Sequence, residues 1–376
     1  MKRIEVMSGI QPTSEMHIGN YFGAVKNWVD LQAKHACVFG VVDLHAMTMP
    51  YRPDELRGNT LRMMLELVAC GLDPERSVLF VQSLVPEHTE LAWILGCVAA
   101  FGDLTRMTQF KDKSGRVEAE AGAAFISAGL FTYPVLQAAD ILIYRAHRVP
   151  VGKDQEQHLE MSRSIARRFN DTFAPVFPEP KPLFTETPKI MSLASPEQKM
   201  SKSLGAKHYV GLFEDAESIR AKVRSAVTDS GPPTGGAEIS PGIANLFEIL
   251  KACGREAEAA AMTEDYFAGR LRYVQLKDAA AAALIDLSAT LRARRAEVES
   301  RLSIEDLIYD ASAGARAIAR ATLDEVRAAT GLPGLQRAAF ERTLSDGGMV
   351  STVSTPVSKT GGPGSNPGAP ANPAHD

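Results

Sequence analysis

A glycine-containing polar loop near the start of the chain holds the first residues that could do chemistry. Residues 8–20 read SGIQPTSEMHIGN and lie between an apolar run, residues 4–7, and an amphipathic run, residues 21–34. This pattern predicts a loop between a first strand and a first helix. His17 and Asn20 stand three residues apart at the helix start, so they project to one side as neutral hydrogen-bond donors. Together with the amides of the helix start, they predict a phosphate site.

A second segment offers two positive charges. Residues 198–205 read QKMSKSLG, so Lys199 and Lys202 lie among small hydroxyl residues that end in glycine. Two ammonium groups on such a turn could follow the charge that moves on a triphosphate, because a point charge tolerates loop motion. Taken alone, a KxxK pattern is most often a solvated basic turn.

An apolar helix is predicted over residues 131–144, starting near Pro134, and it carries polar side chains on one face. Tyr133, Gln137 and Asp140 recur at spacings of four and three residues. A carboxylate among Leu, Ile and Ala needs a partner, because burying it unpaired costs several kcal/mol or raises its pKa. The segment leaves two possibilities open: Asp140 forms a structural ion pair, or it binds a ligand.

Two further segments contribute candidates near the same edge. A short strand leads through Gly152 into a polar helix, which places Asp154 and Gln155 at the ligand-binding end of the sheet. Residues 106–116 are polar, basic and contain glycine, which predicts a mobile loop over the sheet edge. Lys111 lies within that loop.

The elements that position these residues alternate along the first half of the chain. Strands are predicted at residues 37–43 and 77–82, and helices at residues 53–71 and 87–102. Alternation of this kind indicates the α/β class, with a doubly wound parallel sheet covered by helices on both faces. The sequence therefore predicts a Rossmann-like domain with the phosphate loop at the carboxyl end of its first strand.

Length and composition predict more than one domain. At 376 residues the chain exceeds what one compact core usually serves. Beyond residue 243, Ala, Leu, Arg and Glu recur at helical spacing, which predicts an all-helical second domain. We divide the chain into a catalytic domain of residues 1–205, a helical domain of residues 206–335 and a tail of residues 336–376. The tail is rich in Ser, Thr, Gly and Pro and is predicted to be mostly disordered.

Charge, hydropathy and cysteine content narrow the class of protein. A net charge of -4 argues against indiscriminate nucleic-acid binding, so no DNA partner is expected, although a local basic surface for a specific RNA stays possible. The longest apolar runs are strand-sized and no leader precedes the first strand, which predicts no membrane partner. The 4 cysteines lie far apart in apolar contexts, which predicts reduced buried thiols, no metal site and a cytoplasmic location.

Taken together, these segments resemble those of a known family. The pair formed by HIGN at residues 17–20 and KMSKS at residues 199–203 resembles the signature pair of class I aminoacyl-tRNA synthetases. With GIQP upstream and Asn ending the first motif, the chain resembles the tryptophanyl-tRNA synthetases of bacteria. The resemblance runs from residue 1 to about residue 332, and its supporting stretches are DLHA at 43–46, RMTQFK at 106–111, AADIL at 138–142, VPVG at 149–152, SAVTDS at 225–230 and PGI at 241–243.

The resemblance implies a two-step reaction. L-tryptophan would attack the α-phosphate of ATP to give tryptophanyl-adenylate and pyrophosphate, and the tryptophanyl group would then pass to the terminal ribose of tRNA(Trp). Such catalysis depends on alignment and on charge stabilisation at the phosphates. Mg²⁺ would arrive with ATP, without a dedicated protein cage. The resemblance also implies that the helical domain binds the tRNA anticodon and that the protein is a symmetric homodimer.

Roles for individual residues follow from the same resemblance. Those implied in catalysis are Lys199, Lys202, His17 and Lys111. Those implied in ATP binding are Gln11, His17, Gly19, Asn20, Gly152, Asp154, Ile190, Met191, Lys199, Met200, Ser201 and Lys202. Those implied in tryptophan binding are Gln11, Tyr133, Gln137, Asp140 and Gln155.

Within these sets, Asp154 would hold the ribose, and the backbone of Ile190 and Met191 would contact adenine. Asp140 would accept the indole N–H, which can only donate. A site built around such a bond rejects an analogue that lacks the donor, here phenylalanine, by about 10⁴ to 10⁵.

Two positions depart from the commonest bacterial pattern. Gln137 stands where many family members have Met, and Lys153 replaces a usual Glu.

Two other functions fit the same sheet. One is a tyrosine-type synthetase, or a diverged paralogue that activates an amino acid without charging tRNA; the AAD pattern at residues 138–140 and the helical domain weigh against it. The other is an inactive RNA-binding regulator, and the complete phosphate-binding motifs weigh against that.

Overall fold

Five parallel strands form a sheet in the order β3, β2, β1, β4, β5. A computed structural model of the protein describes residues 3–107, 127–152, 156–184, 187–229, 239–301 and 303–334. The strands are β1 Val6–Ile10, β2 Cys37–Val41, β3 Val78–Val81, β4 Arg148–Pro150 and β5 Lys181–Leu183. This order, with β1 in the middle, confirms the prediction of a doubly wound parallel sheet.

Helices connect the strands and make up the second half of the chain. Between and around the strands lie α1 Ile18–Asn20, a π-helical turn Tyr21–Val25, α2 Lys26–Gln32, α3 Asp43–Ala46, α4 Pro53–Ala69, α5 Glu87–Gly96, α6 Phe101–Thr105, α7 Ala128–Leu142 and α8 Glu156–Thr172. After the sheet follow α9 Ala216–Arg224, α10 Pro241–Ala252, α11 Glu256–Phe267, α12 Tyr273–Arg301 and α13 Ile304–Thr330.

Two hydrophobic clusters cover the two faces of the sheet. Phe39 and Val41 of β2 belong to one cluster and Val38 to the other, as the alternation of side chains along a strand requires. The first cluster includes Leu284 of α12, and the second includes Leu323 of α13. The helices of the second half therefore share continuous cores with the strands.

Two helix boundaries and one cysteine differ from the predictions. Helix α7 begins at Ala128, because the Ser127 Oγ caps it by accepting the Leu130 N–H at 3.1 Å, and Pro134 lies inside the helix. The helix predicted over residues 87–102 ends at its tenth residue, and α6 follows separately. Cys97, in the turn between them, is exposed rather than buried.

Residues up to Gly331 belong to one compact unit, and the domain boundary at residue 205 stays a prediction. The tail of residues 336–376 lies outside the described residues, as do Lys111, Lys153, Asp154 and Gln155. Across the ranges that are described, no helix combines the length and apolar character needed to cross a membrane.

Candidate active site

The two predicted phosphate-binding motifs meet around a cleft of about 630 Å³. The cleft lies beyond the carboxyl end of β1, where open parallel sheets bind ligands. Predicted residues in its lining are Gln11, His17, Gly19, Asn20, Lys199, Met200, Ser201 and Lys202. Polar residues of the lining that we had not singled out are Thr13, Ser14, Glu15 and Ser203. Gly152, at the end of β4, is exposed and outside this lining.

Backbone pairing holds the loop after β1 in place. The Ile18 N–H donates to the Val210 C=O at 3.0 Å, and the Leu212 N–H donates to the Met16 C=O at 2.8 Å. These bonds tie the segment that carries His17 to the chain that follows the lysine turn. The histidine and lysine sides of the cleft are thereby kept in register.

His17 is a neutral side chain in the wall of the cleft. Burial, together with the positive charges of Lys202 and Lys199, lowers the pKa of His17 from 6.5 to about 4. Its Nδ1 has no hydrogen-bond partner among the residues that are described. A Cβ on Gly19 would lie 3.0 Å from the His17 ring, so glycine leaves room for the ring. An uncharged, buried ring nitrogen without a protein partner is suited to a hydrogen bond with a ligand.

The two lysines of the turn have different surroundings. Lys199 is exposed, whereas Lys202 is half-buried and donates a hydrogen bond to the Glu15 C=O. Burial lowers the pKa of Lys202, and the carboxylates of Glu15 and Glu66 oppose that shift. The Lys202 Nζ also lies 5.2 Å from the centroid of the Tyr209 ring. Lys202 is thus positioned in advance, while Lys199 extends into solvent.

The residues implied in adenine binding have other backbone partners. The Ile190 C=O accepts the Met200 N–H at 3.2 Å. The Met191 N–H donates to Asn245 Oδ1 at 2.8 Å, and Asn245 Nδ2 donates to the Met191 C=O at 2.9 Å. Because Asn245 takes the Met191 N–H, that group is not available to adenine. Asn245, in α10, gave no signal in the sequence.

A second site is built around Asp140, which is 2% exposed. Its Oδ1 accepts hydrogen bonds from Gln82 Nε2 at 2.7 Å and from His88 Nδ1 at 2.6 Å, and its Oδ2 accepts one from His45 Nε2 at 2.7 Å. Burial by itself raises the pKa of Asp140, but the charge and hydrogen bond of His45 and the hydrogen bond of His88 lower it to about 2. Asp140 is therefore a buried, ionised carboxylate with partners inside the fold.

These partners do not use up the hydrogen-bonding capacity of Asp140. An ionised carboxylate offers about four lone-pair positions, two on each oxygen. Among the described contacts, Oδ1 receives two donors and Oδ2 receives one. One position on Oδ2 can still accept an N–H. The two possibilities that the sequence left open, structural pairing and ligand binding, are therefore compatible.

The other described residues implied in tryptophan binding lie on α7 and in the cleft lining. The Tyr133 ring lies 6.3 Å from the His45 ring, and its hydroxyl oxygen lies 2.7 Å from His158 Nε2. Burial raises the pKa of Tyr133 to about 12, so the phenol keeps its proton. Gln137 is half-buried on the same helix, and Gln11 lines the cleft.

Sequence reasoning missed most of the groups that surround Asp140. His45, Gln82 and His88 are 95, 58 and 52 residues away from it in the chain, so no local spacing relates them to it. The usable signal was their position, since His45 follows β2 and Gln82 and His88 follow β3. Polar residues just after neighbouring parallel strands meet at the same edge of the sheet.

Comparisons with known proteins agree with this arrangement. Residues 1–288 match the family model described as tRNA synthetases class I (W and Y). The chain is 45% identical over 328 residues to tryptophan–tRNA ligase 2 of Streptomyces avermitilis, covering 86% of this chain and 95% of that one. It is 43% identical over 326 residues to tryptophan–tRNA ligase of Clostridium tetani, covering 86% and 94%.

Solved structures give the same result. Tryptophanyl-tRNA synthetase from Campylobacter jejuni, complexed with ADP and tryptophan, superposes with a TM-score of 0.75 at 31% identity, covering 88% of this chain and 100% of that one. The family model covers more than half of the chain, and the two relatives exceed 40% identity over most of its length. The chain therefore belongs to the class I tRNA synthetases of the tryptophan and tyrosine group.

Proposed function

We propose how this tryptophan–tRNA ligase divides its first step between the cleft and the surroundings of Asp140. A carboxylate oxygen of L-tryptophan attacks the α-phosphorus of ATP, the bond from that phosphorus to the bridging oxygen breaks, and pyrophosphate leaves. No enzyme group needs to form a covalent bond. The protein contributes alignment of the two substrates and stabilisation of charge on the phosphates.

In this proposal the cleft binds the triphosphate of ATP. His17 and Asn20 donate hydrogen bonds to phosphate oxygens, and Lys199 and Lys202 neutralise the charge that builds on the leaving pyrophosphate. The supporting observation is that all four side chains line one cleft. Lys111 as a third cation, Asp154 at the ribose and Gln155 at the α-ammonium group are carried over from the family resemblance.

Mg²⁺ fits this cleft as a companion of ATP. Within the described ranges, no group of three or more His, Cys, Asp or Glu side chains could hold a metal ion. The cleft lining contains two lysines and one carboxylate, Glu15. Mg²⁺ is commonly bound through substrate phosphates, where it neutralises their charge.

Asp140 selects the amino acid in this proposal, and the observation that carries it is that Oδ2 receives one donor among the described contacts, although it has two lone pairs. A neutral indole N–H can take that position, whereas phenylalanine offers no donor. Tyr133, which is protonated, can donate to His158 while its oxygen accepts from the α-ammonium group. Gln137 beside Asp140 provides an amide where an apolar side chain is more usual, so it adds polarity at the rim of the indole site.

The further partners are tRNA(Trp), bound through the helical half, and a second copy of the chain. Trp93 on α5 and Phe101 on α6 are 76% and 72% exposed, and large exposed aromatic groups mark interaction surfaces. Phe101 lies 5.5 Å from the Phe131 ring, which extends the apolar surface. We infer that this surface contributes to a symmetric homodimer. The free thiols of Cys37 and Cys70 fit a reducing cytoplasm.

Exchange of labelled pyrophosphate into ATP tests the first step. We expect exchange with L-tryptophan and only background exchange with L-tyrosine or L-phenylalanine. Equal exchange with tyrosine, or none with any amino acid, would contradict the proposal. Charging of a tRNA(Trp) transcript then separates a complete ligase from a paralogue that stops at the adenylate.

A further inference from the structure

Gln82 reaches Asp140 from the turn after β3 and His88 from the first turn of α5, and each is oriented by a second hydrogen bond. The Gln82 Oε1 accepts the Leu44 N–H at 3.2 Å, which leaves its Nε2 to donate to Asp140. The His88 Nε2 lies 2.8 Å from the Tyr144 hydroxyl, whose pKa burial raises well above its ordinary value. Because an ionised Asp140 oxygen can only accept a hydrogen bond, the His88 Nδ1 that faces it carries a proton. Both second partners therefore turn a donor toward the carboxylate.

The faces of the His88 ring are supported as well. The ring is fully buried and stacks on Phe80, with centroids 5.2 Å apart and planes at 26°. A Cβ on Gly40, in the neighbouring strand β2, would lie 2.3 Å from the Phe80 ring, so this glycine makes room for the ring that supports His88. Rotation of the His88 ring would break its hydrogen bonds to both Asp140 and Tyr144.

Two donors on the same oxygen restrict Asp140 in two ways. They oppose rotation about its Cβ–Cγ bond, because rotation would break both bonds. They also favour the ionised form, because each is a hydrogen bond to the charged state. A protonated carboxyl would place an O–H where the indole N–H needs an acceptor.

We propose that Gln82 and His88 are positioning residues for tryptophan selection, which hold Asp140 as a carboxylate with one Oδ2 lone pair presented to the indole N–H. This inference rests on the proposed role of Asp140. Both residues act through the carboxylate that they contact. Loss of either donor weakens the acceptor for indole and allows Asp140 to take up a proton at a higher pH.

A matched pair of substitutions separates this role from packing. His88→Asn places an amide near the former Nδ1 and can still donate to Asp140, whereas His88→Gln places its amide near the former Nε2 and meets Tyr144 instead. Both lose the ring and its stacking on Phe80 equally. The readout is the ratio of kcat/KM for tryptophan to kcat/KM for phenylalanine in pyrophosphate exchange, with the KM for ATP measured alongside.

For His88→Gln we expect this ratio to fall about tenfold to a hundredfold, the usual effect of losing a hydrogen bond to a charged group. The KM for ATP should stay near its wild-type value, because the cleft is unchanged. His88→Asn should retain most of the discrimination. Equal losses in the two variants would overturn the inference and assign His88 to packing.

Two more variants keep the test decisive. Gln82→Met has nearly the same volume and removes the second Oδ1 donor, so the same fall in the ratio is expected if His88→Gln does not fold. Asp140→Ala distinguishes the two proposals. If its ratio equals that of the wild type, the proposed role of Asp140 fails. If its ratio collapses while Gln82→Met and His88→Gln keep theirs, the positioning role alone fails.

Discussion

The phosphate cleft and the Asp140 site bind polar groups in opposite ways. The cleft is open and leaves its own groups unsatisfied, since His17 Nδ1 has no described partner and Lys199 is exposed. The Asp140 site is closed, and its carboxylate holds three donors before any ligand arrives. The cleft offers exposed cationic and unpaired polar groups. The Asp140 site offers one Oδ2 lone pair that no described donor occupies.

The difference agrees with the ligands proposed for the two sites. Charge moves across the phosphates as pyrophosphate leaves, so point charges on an exposed turn can follow it. An indole N–H is neutral and stays in place, so its partner must be fixed in position and ionisation state. We infer that the exposed Lys199 and the positioned Lys202 serve the reaction and a rigid anion serves selection, and that each site can be changed without the other.

The largest expected effect is on selection. Asp140→Ala should lower the tryptophan-to-phenylalanine ratio of kcat/KM by about 10³-fold or more, because the site loses the acceptor proposed for the indole N–H. The KM for tryptophan should rise sharply, and the KM for ATP should change little. Pyrophosphate exchange measures all three quantities. An unchanged ratio would return Asp140 to a purely structural role, and the contrast between the cleft and the Asp140 site would no longer hold.

The next effect concerns the cleft. Lys202→Ala should lower kcat for pyrophosphate exchange by about 10²- to 10³-fold, because a group that stabilises the leaving pyrophosphate is lost. The ratio between tryptophan and phenylalanine should stay at its wild-type value. Lys207→Ala is the control, since Lys207 is exposed nearby and outside the cleft lining. A change in selectivity in Lys202→Ala would show that the two sites are not separable.

A smaller effect is expected on the pH dependence of stability. His17 titrates near 6.5 when unfolded and near 4 when folded. In that window the unfolded chain binds a proton that the folded protein does not, so the free energy of unfolding falls as the pH falls. Between pH 6.5 and pH 5, His17→Gln should reduce this loss by about 1 to 2 kcal/mol.

Urea unfolding at the two pH values measures that difference. The contribution of Asp140 has the same sign and lies in a lower window, from 3.8 down to about 2. Identical pH dependence in the wild type and His17→Gln would contradict the neutral, buried state of His17.

The smallest effect tests how far the rigidity of the Asp140 site extends. Glu87, next to His88, is buried and pairs with Arg316 Nε of α13 at 2.9 Å. Arg316→Gln should lower the tryptophan-to-phenylalanine ratio roughly twofold to tenfold, a typical range for coupling through a packed network. Arg327→Gln is the matched control, because Arg327 lies on α13 like Arg316 and pairs with Glu90, which lies on α5 like Glu87. Equal effects of the two variants would indicate loss of helix packing only.

The fold and the phosphate cleft could be predicted because their signals are local. Alternating strands and helices indicated the sheet, and the residues of each cleft motif are contiguous in the chain. His17 and Lys199 needed only the rule that ligands bind where parallel strands end. The start of α7 was misplaced because Pro134 gave a stronger signal than the cap at Ser127.

The Asp140 site could be predicted only in part. Its carboxylate stood out as a charge on an apolar face, but its partners come from α3, the turn after β3 and α5. Residue types at those positions, such as Gln82 and His88, are common in ordinary helices and turns. Only the folded chain brings them to one carboxylate, and only their hydrogen-bond geometry indicates which lone pair is left.

The most direct test changes the ligand instead of the protein. An analogue of L-tryptophan in which sulfur replaces the indole N–H has almost the same shape and lacks the donor. With the wild-type enzyme, we expect kcat/KM in pyrophosphate exchange to be at least about a hundredfold lower for the analogue than for tryptophan. With Asp140→Ala, the two should be used at nearly equal rates. Equal use of both by the wild-type enzyme would contradict selection by an ionised Asp140.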